Sequence, residues 1–251
     1  MATAIEVRNL DMMYGDRVVQ RDLNFVVETG DIFVIMGPSG TGKSTLLRHM
    51  IGLVAPARGD VYYEATGLWT GDDESRQRVL RRIGVLYQEG ALWSSMTLAE
   101  NVALPVEEFT DLPMATVRDV ARLKLALVGL AGFEDFYPPQ LSGGMRKRAG
   151  LARALALDPD ILFFDEPSSG LDQISSRHLD DLILELRDSL GATVVMVTHE
   201  LASIFAIGTQ AVFLDDEAKT ITAAGNPTTL LHESGDPKVH RFLTRGREPG
   251  R

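Results

Sequence analysis

Apolar positions along this chain follow two rhythms. Ile32-Phe33-Val34-Ile35-Met36 is apolar without a break and ends in a glycine-rich turn. Such a run predicts a parallel strand covered on both faces. Ile161-Leu162-Phe163-Phe164 and Thr193-Val194-Val195-Met196-Val197 have the same character, and Ile83-Gly84-Val85-Leu86-Tyr87 is a weaker example. Helices are expected between these runs, over about 43–51, 144–156 and 172–190. Strands alternating with helices predict an α/β fold with a parallel-sheet core. Residues 5–10, 23–27 and 61–63 alternate instead and are joined by short turns, which predicts an antiparallel β layer.

The middle of the chain, about 97–157, reads as mainly helical. Thr97 and Glu100 fit a capping box, and Met114, Val117, Val120, Ala121, Leu125 and Val128 fit one apolar helix face. A helical insertion in the α/β core follows from this. After about Pro227 the chain turns polar and basic, with Lys238, Arg241, Arg245, Arg247 and Arg251; an ordered arm and a frayed tail both fit. The expected organisation is one domain over 1–251. Residues 1–88 and 158–226 form its core, 89–157 a helical subdomain and 227–251 a C-terminal arm.

Composition narrows the class. The 251 residues are 45% hydrophobic and 24% charged, which excludes disorder over the whole chain. No apolar run approaches the roughly 18 residues of a membrane-spanning helix. The start shows no basic region followed by an apolar stretch, so no secretory signal is expected. With no cysteine, disulfide scaffolds, thiol catalysis and cysteine metal sites are excluded, and a cytosolic protein is expected. The net charge of −10 argues against nucleic acid as a partner. A bound nucleotide needs only local positive potential.

Gly37-Pro38-Ser39-Gly40-Thr41-Gly42-Lys43-Ser44-Thr45 matches the P-loop pattern, after an apolar strand and before a predicted helix. Gly40 and Gly42 let the backbone turn tightly and approach phosphates. Backbone amides at the helix start face negative charge. Lys43 can reach the β- and γ-phosphates, and Ser44 can offer a hydroxyl to Mg²⁺. Such a site also needs an acidic residue at the end of another buried strand. Asp165 and Glu166 follow the run 161–164: Asp165 to hold Mg²⁺, Glu166 to polarise an attacking water.

Leu141-Ser142-Gly143-Gly144-Met145 then narrows the field, since other P-loop families lack this segment. With it, the chain resembles the nucleotide-binding subunits of ATP-binding cassette (ABC) transporters over nearly its whole length. Locally, a serine and two glycines at a helix start make an anion site. The resemblance implies that Ser142, Gly143 and Gly144 contact the γ-phosphate of ATP held by a partner subunit, in a head-to-tail dimer. Met145 stands where the family often has Gln. Ser168-Ser169-Gly170-Leu171-Asp172 matches the segment that crosses the dimer interface, and Asp172 also fits the N-cap of the helix after it. By the same resemblance His199 is the switch histidine that orders the attacking water, and Gln88 contacts Mg²⁺ and that water. Tyr14 stacks on adenine, while Trp93 and Met96 lie where the membrane subunit is received. A turn tyrosine and a Trp93 packed within the helical insertion remain the local alternatives.

Several segments also resemble the Mla-type, MCE-associated branch that moves phospholipid. These are 88–92, 101–105, 141–148, 168–172 and 236–243. Glu89 and Trp93 depart from that branch's commoner residues. The resemblance implies an ATPase bound peripherally at the cytoplasmic face of the inner membrane. It would act as a homodimer on an integral membrane permease, with an MCE-type substrate-binding protein. It also implies that Phe242 and Leu243 can pack on the partner subunit; a short helix on the chain's own surface is the alternative. A cassette for a soluble solute, a non-transport ABC ATPase of cell division or assembly, and a nucleotide-dependent module without turnover remain the competing functions.

Overall fold

The computed structural model describes residues 2–246, so Met1 and the basic residues Arg247 and Arg251 of the tail lie outside the described residues. Along the chain run β1 (Thr3–Tyr14), β2 (Arg17–Glu28), β3 (Ile32–Met36), α1 (Lys43–Met50), β4 (Arg58–Tyr63), β5 (Thr66–Gly67), α2 (Asp73–Arg81) and β6 (Ile83–Leu86). Then come α3 (Leu98–Phe109), α4 (Met114–Leu127), α5 (Gly143–Ala154), β7 (Ile161–Asp165), α6 (Gln173–Leu190) and β8 (Thr193–Val197). The chain closes with α7 (Leu201–Ile207), β9 (Gln210–Leu214), β10 (Ile221–Gly225), α8 (Pro227–Glu233) and α9 (Pro237–Leu243). Packing divides the chain into two units: one runs up to Leu80 and resumes at Thr193, the other spans Arg81–Ala192.

In the first unit the antiparallel layer has the order β2-β1-β4-β5. Val7 of β1 lies opposite Phe25 on one side and Val61 on the other. Ile5, Val7, Leu10 and Met12 are buried, so the layer has one core face, as the alternation predicts. Beside it, β3 pairs in parallel with β8 and β9, and β10 pairs antiparallel with β9. Every residue of β3 and β8 is buried, which is why both read as apolar runs. Phe25 of β2 stacks on Phe33 of β3 with ring centroids 5.3 Å apart and 12° between planes, joining the two layers.

The C-terminal arm belongs to this unit and is ordered through α9. Asp236 caps α9, Val239 and Leu243 are buried, and Phe242 meets Phe213 of β9 edge-on at 5.5 Å. Phe242 and Leu243 thus pack on their own chain, as the reading of a short helix on the chain's own surface has it. The apolar end of β9 supplies that surface locally. Neither β9 nor β10 is expected from the pattern. β10 is a short edge strand of mostly small residues, Ile221-Thr222-Ala223-Ala224-Gly225, with little apolar signal.

In the second unit β6 and β7 pair in parallel, with Ile83 opposite Ile161 and Leu86 opposite Phe164. The capping box at α3 forms in both directions. Glu100 N donates to Thr97 Oγ1 at 3.2 Å, and Thr97 N to Glu100 Oε2 at 2.7 Å. On α4, Val117, Ala121, Leu125 and the following Val128 are buried as expected. Met114 is exposed and Val120 only half-buried. Met114 opens the helix directly after its N-cap, Pro113, one turn before the buried stripe begins. Among the described residues no helix is long and apolar enough to cross a membrane.

Candidate nucleotide-binding and catalytic site

In the first unit, β3 delivers the chain to the loop 37–42 and α1 carries it away. Gly37 sits at φ 148°, and a Cβ there would stand 2.5 Å from the carbonyl oxygen of Leu214. Gly42, the N-cap of α1, has φ 95°, and its Cβ would meet Val19 at 2.6 Å. No residue with a side chain fits either position without a shift of its neighbours. The N-terminus of α1 has no side-chain cap, so its first-turn amides face outward with the positive end of the helix dipole. Lys43 is buried and its Nζ donates to the carbonyls of Gly37 and Pro38, both at 2.9 Å. The ammonium thus braces the loop from within. Thr41 Oγ1 donates to Pro38 O at 3.0 Å.

Tyr14, at the end of β1, is about half exposed, and its Oη lies 3.3 Å from Thr45 Oγ1 in the first turn of α1. That bond brings the tyrosine to the loop and leaves ring surface open. His199 follows β8 on an exposed turn in which the buried Thr198 accepts at Oγ1 from Glu200 N at 3.0 Å. Gln20 is the residue that sequence patterning misses here. It is fully buried in β2, and its Nε2 donates both to Thr41 O in the loop and to Asp215 O after β9. A polar residue in an alternating strand gives no sign of such a role.

In the second unit, Asp165 ends β7 and Glu166 follows with φ 50°. Left-handed backbone is uncommon for a residue with a side chain and is found where surroundings over-determine it. A turn follows, closed by Ser169 N donating to Glu166 O at 3.1 Å. Gln88 Nε2 lies 3.4 Å from Ser169 Oγ, so Gln88 and this turn are brought together. Ser142 caps α5, accepting at Oγ from Met145 N at 3.3 Å. Asp172 caps α6, taking bonds from Ile174 N, Ser175 N and Ser175 Oγ. The Ser175 bonds, then that of Ile174, hold its carboxyl below the ordinary value. Ser142, Gly144, Met145, Leu171 and Ser175 line one small pocket, so the two motifs share a surface.

Two further residues of this unit escape the pattern. Lys147 of α5 is buried, and burial pushes its ammonium below the ordinary lysine value. Asn101 of α3 is fully buried and ties down the loop of Trp93 and Met96. Its Oδ1 accepts from Trp93 N at 2.7 Å, and its Nδ2 donates to Trp93, Met96 and Thr97 carbonyls. Trp93 itself is 60% exposed.

A family model described as ABC transporter matches residues 20–169. The chain belongs to the ABC transporter family. It is 40% identical to the intermembrane phospholipid transport system ATP-binding protein MlaF of Haemophilus influenzae, over 95% of this chain and 89% of that protein. It is 39% identical to the probable ribonucleotide transport ATP-binding protein mkl of Mycobacterium tuberculosis, over 100% of this chain and 68% of that protein. Among solved structures it is similar to a dimeric ATP-binding cassette in a post-hydrolysis state bound to ADP and Pi. The TM-score is 0.80 at 30% identity, covering 88% of this chain and 98% of that one. The chain is thus an ATP-hydrolysing ABC cassette that powers transport and binds ATP with Mg²⁺.

The local chemistry of the cassette fits that ligand. The glycine-lined loop, the uncapped helix start and Lys43 make a cradle for a polyphosphate. In the first unit Ser44 offers a hydroxyl oxygen, and in the second Gln88 and Asp165 offer amide and carboxylate oxygen; each is a hard donor of the kind that Mg²⁺ takes.

Proposed function

We propose that this cassette drives movement of phospholipid, or another hydrophobic substrate, through a separate integral membrane permease. The observation that carries this reading is the likeness to MlaF along 95% of the chain. On this reading the cassette sits peripherally at the cytoplasmic face of the inner membrane, works as a homodimer, and belongs to an assembly with an MCE-type substrate-binding protein. Residues 89–157 form its helical subdomain, with exposed Trp93 as an anchor for the permease.

The roles of the site residues follow the chemistry of γ-phosphoryl transfer to water. Tyr14 stacks on adenine. Lys43 and the amides of 37–45, from Gly37, Pro38, Ser39, Gly40, Thr41, Gly42, Ser44 and Thr45, hold the β- and γ-phosphates. Ser44, Gln88 and Asp165 hold Mg²⁺, which neutralises charge on the phosphate oxygens when bound. Glu166 takes a proton from the attacking water while His199 and Gln88 orient it. The water oxygen bonds to the γ-phosphorus, the bond to the β–γ bridging oxygen breaks, and that oxygen leaves on ADP. Ser142, Gly143 and Gly144 grip the γ-phosphate of ATP on the partner subunit, and Asp172 couples the two sites. ATP binding closes the dimer and hydrolysis reopens it.

Two experiments test this. Glu166→Gln in the assembled complex keeps ATP binding and slows turnover about 10²- to 10⁴-fold; ordinary turnover would remove Glu166 from its role. A mild-detergent pull-down with protein and lipid mass spectrometry recovers a multispanning permease, an MCE-type protein and enriched phospholipid. A different permease with a soluble-solute receptor overturns the lipid assignment, a result that the likeness to a probable ribonucleotide transport protein makes worth checking.

A further inference from the structure

We propose that Lys147 is a positioning residue for hydrolysis, a clamp that holds the turn after β7 in the shape that aims the Glu166 carboxylate. The inference rests on Glu166 being the general base. Lys147 lies on α5, one turn beyond the N-terminal Ser142-Gly143-Gly144 segment. Its Nζ donates to three backbone carbonyls of one short stretch: Glu166 at 3.3 Å, Pro167 at 2.7 Å and Ser169 at 2.5 Å. An ammonium has three N–H donors, so these acceptors use its full set.

The position is buried, with 6% of the residue exposed. A charged amine in such a place needs partners. Here its hydrogen-bond partners are the peptide oxygens of the segment that carries the base, and the carboxylates of Glu89 and Glu166 add coulombic attraction. Three carbonyls converging on one cation fix three peptide planes, and that of Glu166 is one of them. Glu166 holds φ 50°, a left-handed conformation that relaxes unless surrounding contacts impose it. Within the turn Ser169 N donates to Glu166 O at 3.1 Å, and Lys147 adds three bonds from outside it. The same turn presents Ser169 Oγ to Gln88, so the clamp also sets where Gln88 is met.

A structural lysine and a positioning lysine part ways in a double-mutant cycle with the base. The substitutions are Lys147→Met, which keeps the stem and removes the donors, and Lys147→Gln, which keeps two N–H donors. The assembled permease complex is assayed for single-turnover ATP hydrolysis, kcat and KM. Lys147→Met lowers kcat about 10-fold or more with KM for ATP within about threefold, and Lys147→Gln recovers part of the loss. In the Glu166→Gln background, Lys147→Met changes the residual rate less than about twofold, because the group it aims is gone.

An equal loss in both backgrounds, a rise in KM with kcat intact, or no effect at all overturns the inference. If Lys147→Met does not assemble, Lys147→Gln carries the same cycle. Ordinary turnover by Glu166→Gln alone overturns the assignment of the base, and this inference with it; a slow Glu166→Gln with additive losses overturns only the clamp.

Discussion

Gln20 and Thr41 are joined by a buried hydrogen bond of 2.8 Å, from the side-chain Nε2 on β2 to the carbonyl inside the phosphate loop. The same amide reaches Asp215 O at 3.0 Å, just beyond the Leu214 carbonyl against which Gly37 is packed. One side chain of the antiparallel layer therefore registers the loop against the end of β9. The loop's shape is set by the layer beside it as well as by its own glycines.

Replacing Gln20 with Leu leaves two buried carbonyls without this donor. The expected cost is about 1–3 kcal/mol of stability. ATP affinity is expected to fall roughly 3- to 10-fold, the equivalent of about 0.7–1.4 kcal/mol. Titration with a fluorescent nucleotide and denaturant unfolding check the two numbers separately. Wild-type affinity in a folded Gln20→Leu protein would show that the loop holds itself.

The arm bears on the same region. Lys238 of α9 pairs with the buried Asp215 carboxylate and with Glu217, both at 2.7 Å. Burial pushes the Asp215 carboxyl up, but Lys238 and the amides of Ala218 and Glu217 outweigh it, and the net shift is downward from 3.8. Removing the cation with Lys238→Ala is expected to lower the melting temperature by about 2–4 °C. Lys238→Arg restores most of it. Because the Asp215 value is depressed on folding, its stabilisation is present above 3.8 and lost as pH falls below it. Thermal melts of the three proteins between neutral and acid pH test both statements.

Asn101→Ala removes four hydrogen bonds that hold the loop of Trp93. About 1–3 kcal/mol of stability is lost, since Trp93 N and Met96 O lose this partner, while Trp93 O and Thr97 O keep a backbone donor. If that loop receives the permease, co-purification of the permease weakens at a temperature where the cassette is still folded. Circular dichroism and a pull-down on the same sample decide it; an undiminished pull-down removes the loop from the contact.

His49 gives the protein an acid sensitivity. The ring is buried in α1 with Nδ1 2.6 Å from Val54 O, while Nε2 is buried without a hydrogen-bond partner among the described residues. Burial lowers its value from 6.5, with the Val54 bond only partly opposing. The unfolded chain therefore takes up a proton near 6.5 more readily than the folded chain, and stability is expected to fall as pH drops below that value. Denaturant midpoints at pH 7.5 and about pH 5.5 will differ more for the wild type than for His49→Gln. An equal difference in both would assign the sensitivity elsewhere.

Much of this molecule can be read from the chain. β3 and β8 stand where their apolar runs place them, because a strand covered on both faces favours apolar residues at nearly every position, Thr193 at the start of β8 being the polar one. The capping box of Thr97 and Glu100 and the N-caps of Ser142 and Asp172 are local chemistry, readable over four residues. β10 is not readable, since an edge strand of small residues takes its conformation from β9 rather than from its own pattern. Phe242 carries the same apolar signal whether it packs on its own chain or on another.

The order of motifs from Tyr14 to His199 is a property of the sequence alone, because phosphate, metal and water each demand particular atoms at short spacing. The tertiary structure decides what the buried polar side chains do. Gln20 serves backbone carbonyls 21 and 195 residues away in sequence, Asn101 carbonyls 4–8 away and Lys147 carbonyls 19–22 away. A carbonyl is present at every position of the chain, so no residue pattern marks which one will be met. Only the folded backbone brings donor and acceptor together, and burial then makes each of those bonds costly to lose.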